Sequence, residues 1–271
     1  MKKTEISILL NEKKYQTTLG VTARSIRDQV KPNHDIIIIN GFPGKPDTPL
    51  KNNDRVVLIR RGEIPSSDEM QSLLVARHSP GVHERMKKSI VGIAGLGGLG
   101  SNVAISLTRM GVGTLILADF DIVEPSNLNR QQYNISHIGL PKTTALIQML
   151  RSINPYNSLI EHCTILDRNN LVHIFKDADI VIECFDVADA KKMIIQEMAE
   201  LMPDKYLIGA SGIASYGGNN EIRTEKIGDR LYMVGDFSKA AGPYQGLMAP
   251  RVGIAAHCQA NLAVSLLMEK S

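Results

Sequence analysis

A glycine-rich turn between a buried strand and a helix is the feature that most constrains this chain. The apolar run 89–94 is followed by Gly95, Gly97 and Gly100 in a G-x-G-x-x-G pattern, and then by a helical pattern over 101–110. In such a unit the first glycine permits a tight turn, the second lets the backbone approach a phosphate, and the third lets the helix pack closely on the strand. The N–H groups that begin the helix also attract phosphate. The stretch therefore predicts a nucleotide-binding strand, turn and helix.

A carboxylate follows where such a unit binds ribose. Asp119 closes the next apolar run, 114–118, at the spacing of about 20 residues that is typical of a ribose-binding acid. Asp121 comes two residues later and is either a second ribose contact or a loop cap. The two acids strengthen the prediction of a nucleotide site.

Apolar runs and helical patterns alternate along the rest of the chain. The apolar runs lie at 89–94, 114–118, 158–165, 179–184 and 205–210, and the helical patterns lie at 101–110, 142–152, 168–176 and 189–202. This alternation predicts an α/β fold with a doubly wound, Rossmann-like sheet over 89–271. Ligands bind beyond the carboxyl ends of the strands in such a sheet, so the loops after these runs are where we expect the site.

The first 64 residues have a different pattern. Two partly alternating runs that form a hairpin precede a short helix, which Thr22 can cap, and two further strands lie at 36–39 and 55–59. This ββαββ order predicts a small α+β domain over 1–64. Residues 65–88 are expected to form a linker and two N-terminal helices, and 89–271 the nucleotide-binding domain.

Composition and charge argue against several classes of partner. The formal net charge is +3 and no long lysine and arginine block is present, so a nucleic-acid partner is not expected. The three cysteines form no Cys-x-x-Cys pair, which argues against a disulfide framework and against zinc. The apolar run at the N-terminus is too short for a signal peptide, and no stretch approaches the length of a membrane span. We therefore expect a cytoplasmic protein that binds neither membranes nor nucleic acids and contains no zinc.

A glycine turn with a following acid first suggests a nicotinamide-dependent enzyme. Two cations argue against that interpretation. Arg130 and Lys142 both follow Asp119 closely, and two cations beside a glycine turn suit a triphosphate better than a neutral nicotinamide ring. Arg130 can bind phosphate oxygens bidentately. Lys142, which follows Pro141 at the start of a helix, can act as a point charge.

These residues carry a family resemblance. Asp119 begins the motif Asp-Phe-Asp-x-Val-x-x-Ser-Asn-Leu-x-Arg-Gln, and Lys142 ends the motif Gly-x-Pro-Lys. Further along the chain come Ile-Asn-Pro at 153–155, the strand 179–186 that ends in Asp186, and Met-Ala-Pro at 248–250. Together they resemble the adenylation core of the ThiF/MoeB/E1 superfamily, and most of all the ThiF-like adenylyltransferases of thiamine biosynthesis.

The N-terminal pattern resembles the ubiquitin-like β-grasp fold of ThiS-like sulfur carriers. Those carriers end in a free Gly-Gly tail whose carboxylate is activated. Here the segment runs on through Arg60-Arg-Gly-Glu-Ile-Pro65. The resemblance therefore implies a docking or regulatory module and not a substrate.

The resemblance also implies site residues. The residues that it places around ATP and Mg²⁺ are Gly95, Gly97 and Gly100 for the nucleotide backbone, Asp119 and Asp121 for ribose, Asn127, Arg130, Gln131 and Lys142 for the phosphates, and Asp186 for magnesium. Asn127 and Gln131 could instead close their loop, and Asp186 could cap a helix. Arg77 is the preferred accessory arginine from a partner subunit, which implies a homodimer, although it could equally be a solvated charge.

The function that the resemblance implies is ATP-dependent adenylation of the C-terminal glycine of a ubiquitin-like sulfur carrier with a Gly-Gly tail. The step belongs to thiamine biosynthesis and releases pyrophosphate. Two alternatives stay open: a non-catalytic nucleotide-binding regulator, and a related enzyme that acts on tRNA-bound threonylcarbamoyl-adenosine.

Overall fold

The computed structural model describes residues 4–238, 242 and 244–269. The chain separates into two compact units, Met1–His83 and Glu84–Ser271. The division falls inside the stretch 65–88 that was expected to hold a linker and helices, and the domain limits themselves stay a prediction. Each unit is described by itself below.

The first unit is a five-stranded sheet with strand order β2-β1-β5-β3-β4 and one helix against it. Its elements are β1 (Glu5–Leu10), β2 (Lys13–Thr18), α1 (Ala23–Val30), β3 (Ile36–Ile39), β4 (Phe42–Pro43), β5 (Arg55–Ile59) and α2 (Ser67–Val75). The predicted ββαββ order is confirmed, and the two-residue β4 is an addition that the sequence did not indicate.

Alternation in β1 explains how this unit forms its core. Ile6, Ile8 and Leu10 point to one face of the sheet and are buried against Ala23 and Ile26 of α1. The hydroxyl of Thr22 accepts a hydrogen bond from the backbone N–H of Ser25, so the predicted cap at the start of α1 is present.

The residues that follow β5 are bound to their own unit. Gly62 adopts a positive φ of 74° in a turn. The carboxylate of Glu63 then lies 2.8 Å from Nε2 of His34, and that of Glu69 lies 2.6 Å from Nζ of Lys31. The segment after the last strand is therefore folded chain and not a free tail.

The second unit is built on a seven-stranded sheet with strand order β11-β12-β10-β9-β6-β7-β8, in which only the β11–β12 pair is antiparallel. Its strands are β6 (Ile90–Ala94), β7 (Thr114–Asp119), β8 (Ser158–Cys163), β9 (Ile180–Glu183), β10 (Tyr206–Ala210), β11 (Arg223–Lys226) and β12 (Leu231–Gly235). The helices are α3 (Val82–Lys88), which begins in the first unit, α4 (Gly98–Arg109), α5 (Lys142–Ile153), α6 (Leu171–Phe175), α7 (Ala188–Leu201) and α8 (Ala249–Glu269). The predicted Rossmann-like sheet is confirmed, whereas β11 and β12 were not foreseen.

Helices cover both faces of this sheet. Gly92 and Ile93 are neighbours in β6, so they point to opposite faces. Gly92 faces the ring of Phe175 in α6, whereas Ile93 faces Gly100 in α4. Because β7 and β9 flank β6 on opposite sides, the chain order reverses there, which is where doubly wound sheets bind ligands.

Among the residues that the structure describes, no helix is both long enough and apolar enough to cross a membrane.

The close approach of α4 to the glycine turn makes a stability prediction. A Cβ at Gly100 would overlap the carbonyl oxygen of Gly95, which is backbone and cannot move aside. We expect Gly100→Ala to destabilise the protein by about 3 kcal/mol or more, or to prevent folding. Gly253 in α8 has open space around it, so Gly253→Ala is the matched control and should stabilise by about 0.5–1 kcal/mol. Urea unfolding of both variants measures the difference, and a wild-type midpoint for Gly100→Ala would contradict this account.

Candidate functional site

A cavity of about 410 Å³ lies at the carboxyl ends of β6, β7, β9 and β10 in the second unit. Eight of the residues predicted from the sequence line it: Gly95, Gly97, Asp119, Asp121, Arg130, Gln131, Lys142 and Asp186. Gly100 and Asn127 lie outside the lining. The parallel strands therefore bring together residues that lie up to 91 positions apart in the chain.

The glycine turn gives the cavity its backbone floor. Gly95 has a positive φ of 90°, and a Cβ there would come 3.0 Å from the carbonyl oxygen of Cys184. Gly97 precedes α4, and the first residues of α4, Gly98 and Leu99, also line the cavity. The unpaired N–H groups of that first turn carry partial positive charge toward an anion. Gly100 acts one turn further on, where it permits the helix to pack on the turn.

Asp119 joins the ends of β6 and β7. Its Oδ2 accepts a hydrogen bond of 2.6 Å from the N–H of Leu96, and its Oδ1 accepts one of 2.8 Å from the N–H of Asp121. Burial raises the pKa of Asp119, and the two N–H donors and the nearby Lys142 ammonium oppose that rise. Each carboxylate oxygen can accept a further hydrogen bond, so a ribose hydroxyl remains a compatible partner.

Lys142 is held at the cavity by Asp121. The Nζ of Lys142 lies 2.8 Å from Oδ2 of Asp121, and the backbone N–H of Lys142 donates to the carbonyl of Asp121 at 2.9 Å. The lysine is buried, whereas the side chain of Asp121 is 47% exposed. Asp121 thus has a role that the sequence did not indicate, as the partner of the lysine.

Arg130 and Gln131 present polar atoms without partners. Nη1 of Arg130 donates to Oδ1 of Asn129 at 2.9 Å. Nε of Arg130 and Oε1 of Gln131 are buried and have no hydrogen-bond partner in the part of the chain that the structure describes. An unsatisfied buried polar group costs about 1–3 kcal/mol, so a ligand that supplies partners here is favoured. A phosphate matches the arginine.

Asn127 and Arg77 are placed differently. The side chain of Asn127 accepts a hydrogen bond of 3.1 Å from the N–H of Glu124 and so closes its own loop. Arg77 belongs to the first unit, where its exposed side chain lies 4.0 Å from Glu12. Contacts of Asn127 with phosphate and of Arg77 with a partner subunit's site stay predictions.

Asp186 supplies a single exposed carboxylate to the cavity. In the part of the chain that the structure describes, no group of three or more His, Cys, Asp and Glu side chains could hold a metal ion. Magnesium commonly uses one or two carboxylates together with nucleotide phosphates and water. Asp186 therefore fits Mg²⁺ only in company with a bound nucleotide.

The comparison with protein families assigns both parts of the chain. Residues 70–271 match the family described as ThiF family, and residues 6–62 match the family described as ThiS-like ubiquitin. The chain belongs to the ThiF family. The resemblance inferred from the motifs is thereby confirmed.

Curated relatives of this ThiF-family protein include two fungal proteins named adenylyltransferase and sulfurtransferase UBA4. The Candida glabrata protein is 31% identical over 190 residues, which cover 68% of this chain and 43% of that protein. The Emericella nidulans protein is 37% identical over 134 residues, which cover 49% of this chain and 27% of that protein. The chain thus spans less than half the length of these relatives.

A solved structure shows the same fold. The Escherichia coli tRNA N6-threonylcarbamoyladenosine dehydratase TcdA, in complex with AMP, matches with a TM-score of 0.68 and 18% identity. The match covers 77% of this chain and 99% of that one. At this identity the likeness supports the fold alone.

Sequence reasoning missed a buried ion pair in the cavity wall of this ThiF-family protein. Glu183 ends β9 and is fully buried, and its carboxylate lies 2.8 Å from Nζ of Lys191 in α7. Burial raises the pKa of Glu183, whereas the Lys191 ammonium and two backbone N–H groups lower it. The sequence did contain a signal for this pair, because Glu183 is an acidic residue at the end of the otherwise apolar strand β9.

The glycine turn makes a binding prediction for this ThiF-family protein. A Cβ at Gly97 would meet only Nε2 of Gln131 at 3.6 Å, which is an ordinary contact, so Gly97→Ala should fold. The added methyl group occupies the space through which a phosphate approaches the backbone, so we expect ATP affinity to fall by roughly tenfold or more. Isothermal titration with ATP measures this, with Gly253→Ala as the control. Unchanged affinity in Gly97→Ala would exclude the turn as the phosphate site.

Proposed function

We propose that this ThiF-family protein uses ATP and Mg²⁺ to adenylate the C-terminal glycine carboxylate of a small ubiquitin-like sulfur-carrier protein that ends in Gly-Gly. Pyrophosphate is the second product, and the step belongs to thiamine biosynthesis. The observation that carries the proposal is one cavity that combines a glycine turn, the acid Asp119 and the two cations Arg130 and Lys142.

The cavity offers a separate environment to each part of ATP. Asp119 can accept hydrogen bonds from ribose hydroxyls. At the mouth, Phe120, Ile165 and Val187 are apolar and each is more than half exposed, which suits a flat purine ring. The glycine turn, Arg130, Gln131 and Lys142 then remain for the phosphates, and Nε2 of Gln131 lies beside Gly97.

The proposed reaction needs charge stabilisation more than proton transfer. The carrier carboxylate is already ionised at neutral pH, so it can attack the α-phosphorus without a general base. Arg130 and Lys142 both line the cavity, and Lys142 can move from Asp121 to a phosphate oxygen. Mg²⁺, held by Asp186 together with the phosphates, would offset negative charge on the leaving pyrophosphate. These groups act by position and charge, as is usual in phosphoryl chemistry.

Two further observations favour a separate carrier as the acceptor. The segment after β5 continues as folded chain, with Glu63 bound to His34 and Glu69 bound to Lys31, so the first unit has no terminal carboxylate. Cys184 lines the cavity, but burial raises its pKa well above the ordinary value, which keeps the thiol protonated and unreactive. We therefore assign adenylation to this chain and no thioester to Cys184. A homodimer in which a second copy supplies Arg77 is part of the same proposal.

Exchange of labelled pyrophosphate into ATP tests the function directly. We expect exchange that depends on Mg²⁺ and on a Gly-Gly-ended ThiS-like carrier, and no exchange when the carrier lacks its last glycine. Absence of exchange with carriers, despite measured ATP binding, would reject adenylation and favour a nucleotide-binding regulator. Turnover with tRNA that carries threonylcarbamoyl-adenosine would assign a different substrate.

Lys142 separates binding from chemistry. We expect Lys142→Ala to fold and to retain ATP binding but to lose roughly 10²–10³ in exchange rate, because one charge contact to the transition state is removed. The exposed Lys176 provides the control, since Lys176→Ala removes the same charge away from the cavity lining. Near-normal exchange in Lys142→Ala would refute the role of this lysine.

A further inference from the structure

The mechanism leaves one charged pair in the cavity wall unused. Glu183 is fully buried at the end of β9, and Lys191 lines the cavity from the first two turns of α7. An ionised carboxylate at such a position is costly unless all its oxygens find partners. The hydrogen-bond partners of Glu183 indicate the role of the Glu183–Lys191 pair.

The Glu183 carboxylate connects three elements. Its Oε1 accepts hydrogen bonds from Nζ of Lys191 at 2.8 Å and from the N–H of Phe185 at 2.7 Å. Its Oε2 accepts from Nζ of Lys191 at 3.2 Å and from the N–H of Ala210 at 3.4 Å. The pair thus ties the loop after β9 to the start of α7 and to the end of β10.

Lys191 is held by two groups of the protein. Its Nζ contacts the carboxylate of Glu183 and also donates to the carbonyl oxygen of Ala210 at 3.0 Å. Lys191 is therefore tied to the protein at β9 and β10, although it lines the same cavity as Lys142.

The loop that the pair restrains carries Asp186. The N–H of Phe185 is fixed on Glu183, and the next residue along the chain presents its exposed carboxylate to the cavity. Fixing the backbone at position 185 limits the positions open to the carboxylate at 186, which lowers the entropy that binding of a cation must remove.

We propose that Glu183 and Lys191 are positioning residues that hold the 184–187 loop so that Asp186 receives the Mg²⁺ of the bound nucleotide. The inference rests on the proposed function, because it takes Asp186 as the carboxylate for magnesium. It adds two residues, which contact neither nucleotide nor metal, to the set that determines how strongly Mg²⁺ favours nucleotide binding.

Isothermal titration with ATP, with and without Mg²⁺ and in the absence of any carrier, tests the proposal. The variants are Lys191→Met and Glu183→Gln, with Asp186→Asn for comparison. The control is Lys192→Met, at the exposed neighbour of Lys191. We expect the gain in affinity that Mg²⁺ produces to fall by roughly 10-fold in Lys191→Met and Glu183→Gln, as far as in Asp186→Asn. Mg²⁺-free affinity should stay within about twofold of wild type, and Lys191→Arg should restore most of the gain because it keeps the charge.

A purely structural role would change a different quantity. It would weaken binding with and without Mg²⁺ by the same factor, and that result in folded variants overturns the proposal. If the single variants fail to fold because one buried charge loses its partner, the double variant Glu183→Gln/Lys191→Met, which leaves neither charge alone, gives the same readout.

Failure of the proposed function is a separate result. Wild-type protein that binds ATP with a Mg²⁺-dependent gain but shows no carrier-dependent exchange would reject adenylation and leave the positioning pair intact. Wild-type protein that binds ATP equally with and without Mg²⁺ would overturn the positioning pair.

Discussion

The second unit depends on the contact between the glycine turn and its two neighbours, helix α4 and Asp119. Because Gly100 lacks a side chain, α4 packs directly on the carbonyl of Gly95, which brings the first residues of the helix to the cavity. The carboxylate of Asp119 then accepts hydrogen bonds from Leu96 in the turn and from Asp121 in the next loop. One buried acid thus fixes two loops. The first contains Gly97, and the second contains Asp121, which in turn pairs with Lys142.

The sequence predicted most of this architecture because its signals are local or periodic. Buried parallel strands read as continuous apolar runs, and the spacing from the glycines to Asp119 follows from one strand–helix–strand repeat. The edge strand β11 has the sequence Arg-Thr-Glu-Lys, which no apolar pattern distinguishes from a loop. β12 could have been predicted from the sequence, because residues 231–234 are mostly apolar and follow a Gly-Asp turn.

Side-chain partners were less accessible to sequence reasoning because they form across elements. Lys191 meets Glu183 and Ala210 only after α7 has packed beside β9 and β10. Asn127 belongs to a family motif, yet its amide oxygen accepts a hydrogen bond from the N–H of Glu124 in its own loop. The first unit makes the same point on a larger scale. Strand order is enough to recognise a carrier-like fold, and the continuation of the chain shows that it has no free tail to activate. The contacts of Glu63 with His34 and of Glu69 with Lys31 are visible only in the structure.

Lys142 and Lys191 both line the cavity, but they differ in the free energy needed to separate each lysine from its carboxylate. This difference gives the two lysines different roles. The Lys142 pair involves a carboxylate that is 47% exposed. Lys142 itself is buried, but water reaches the Asp121 carboxylate, so this pair costs less to separate than one with a fully buried carboxylate. In the proposed function, the negatively charged phosphate chain of ATP competes with this carboxylate for Lys142. Lys191 faces a fully buried carboxylate, and breaking a buried pair costs about 3–5 kcal/mol. A phosphate that drew Lys191 away would leave Glu183 charged and unpaired in the wall. The two pairs therefore support the roles that we propose: Lys142 contacts the phosphates, and Lys191 holds the loop that carries Asp186.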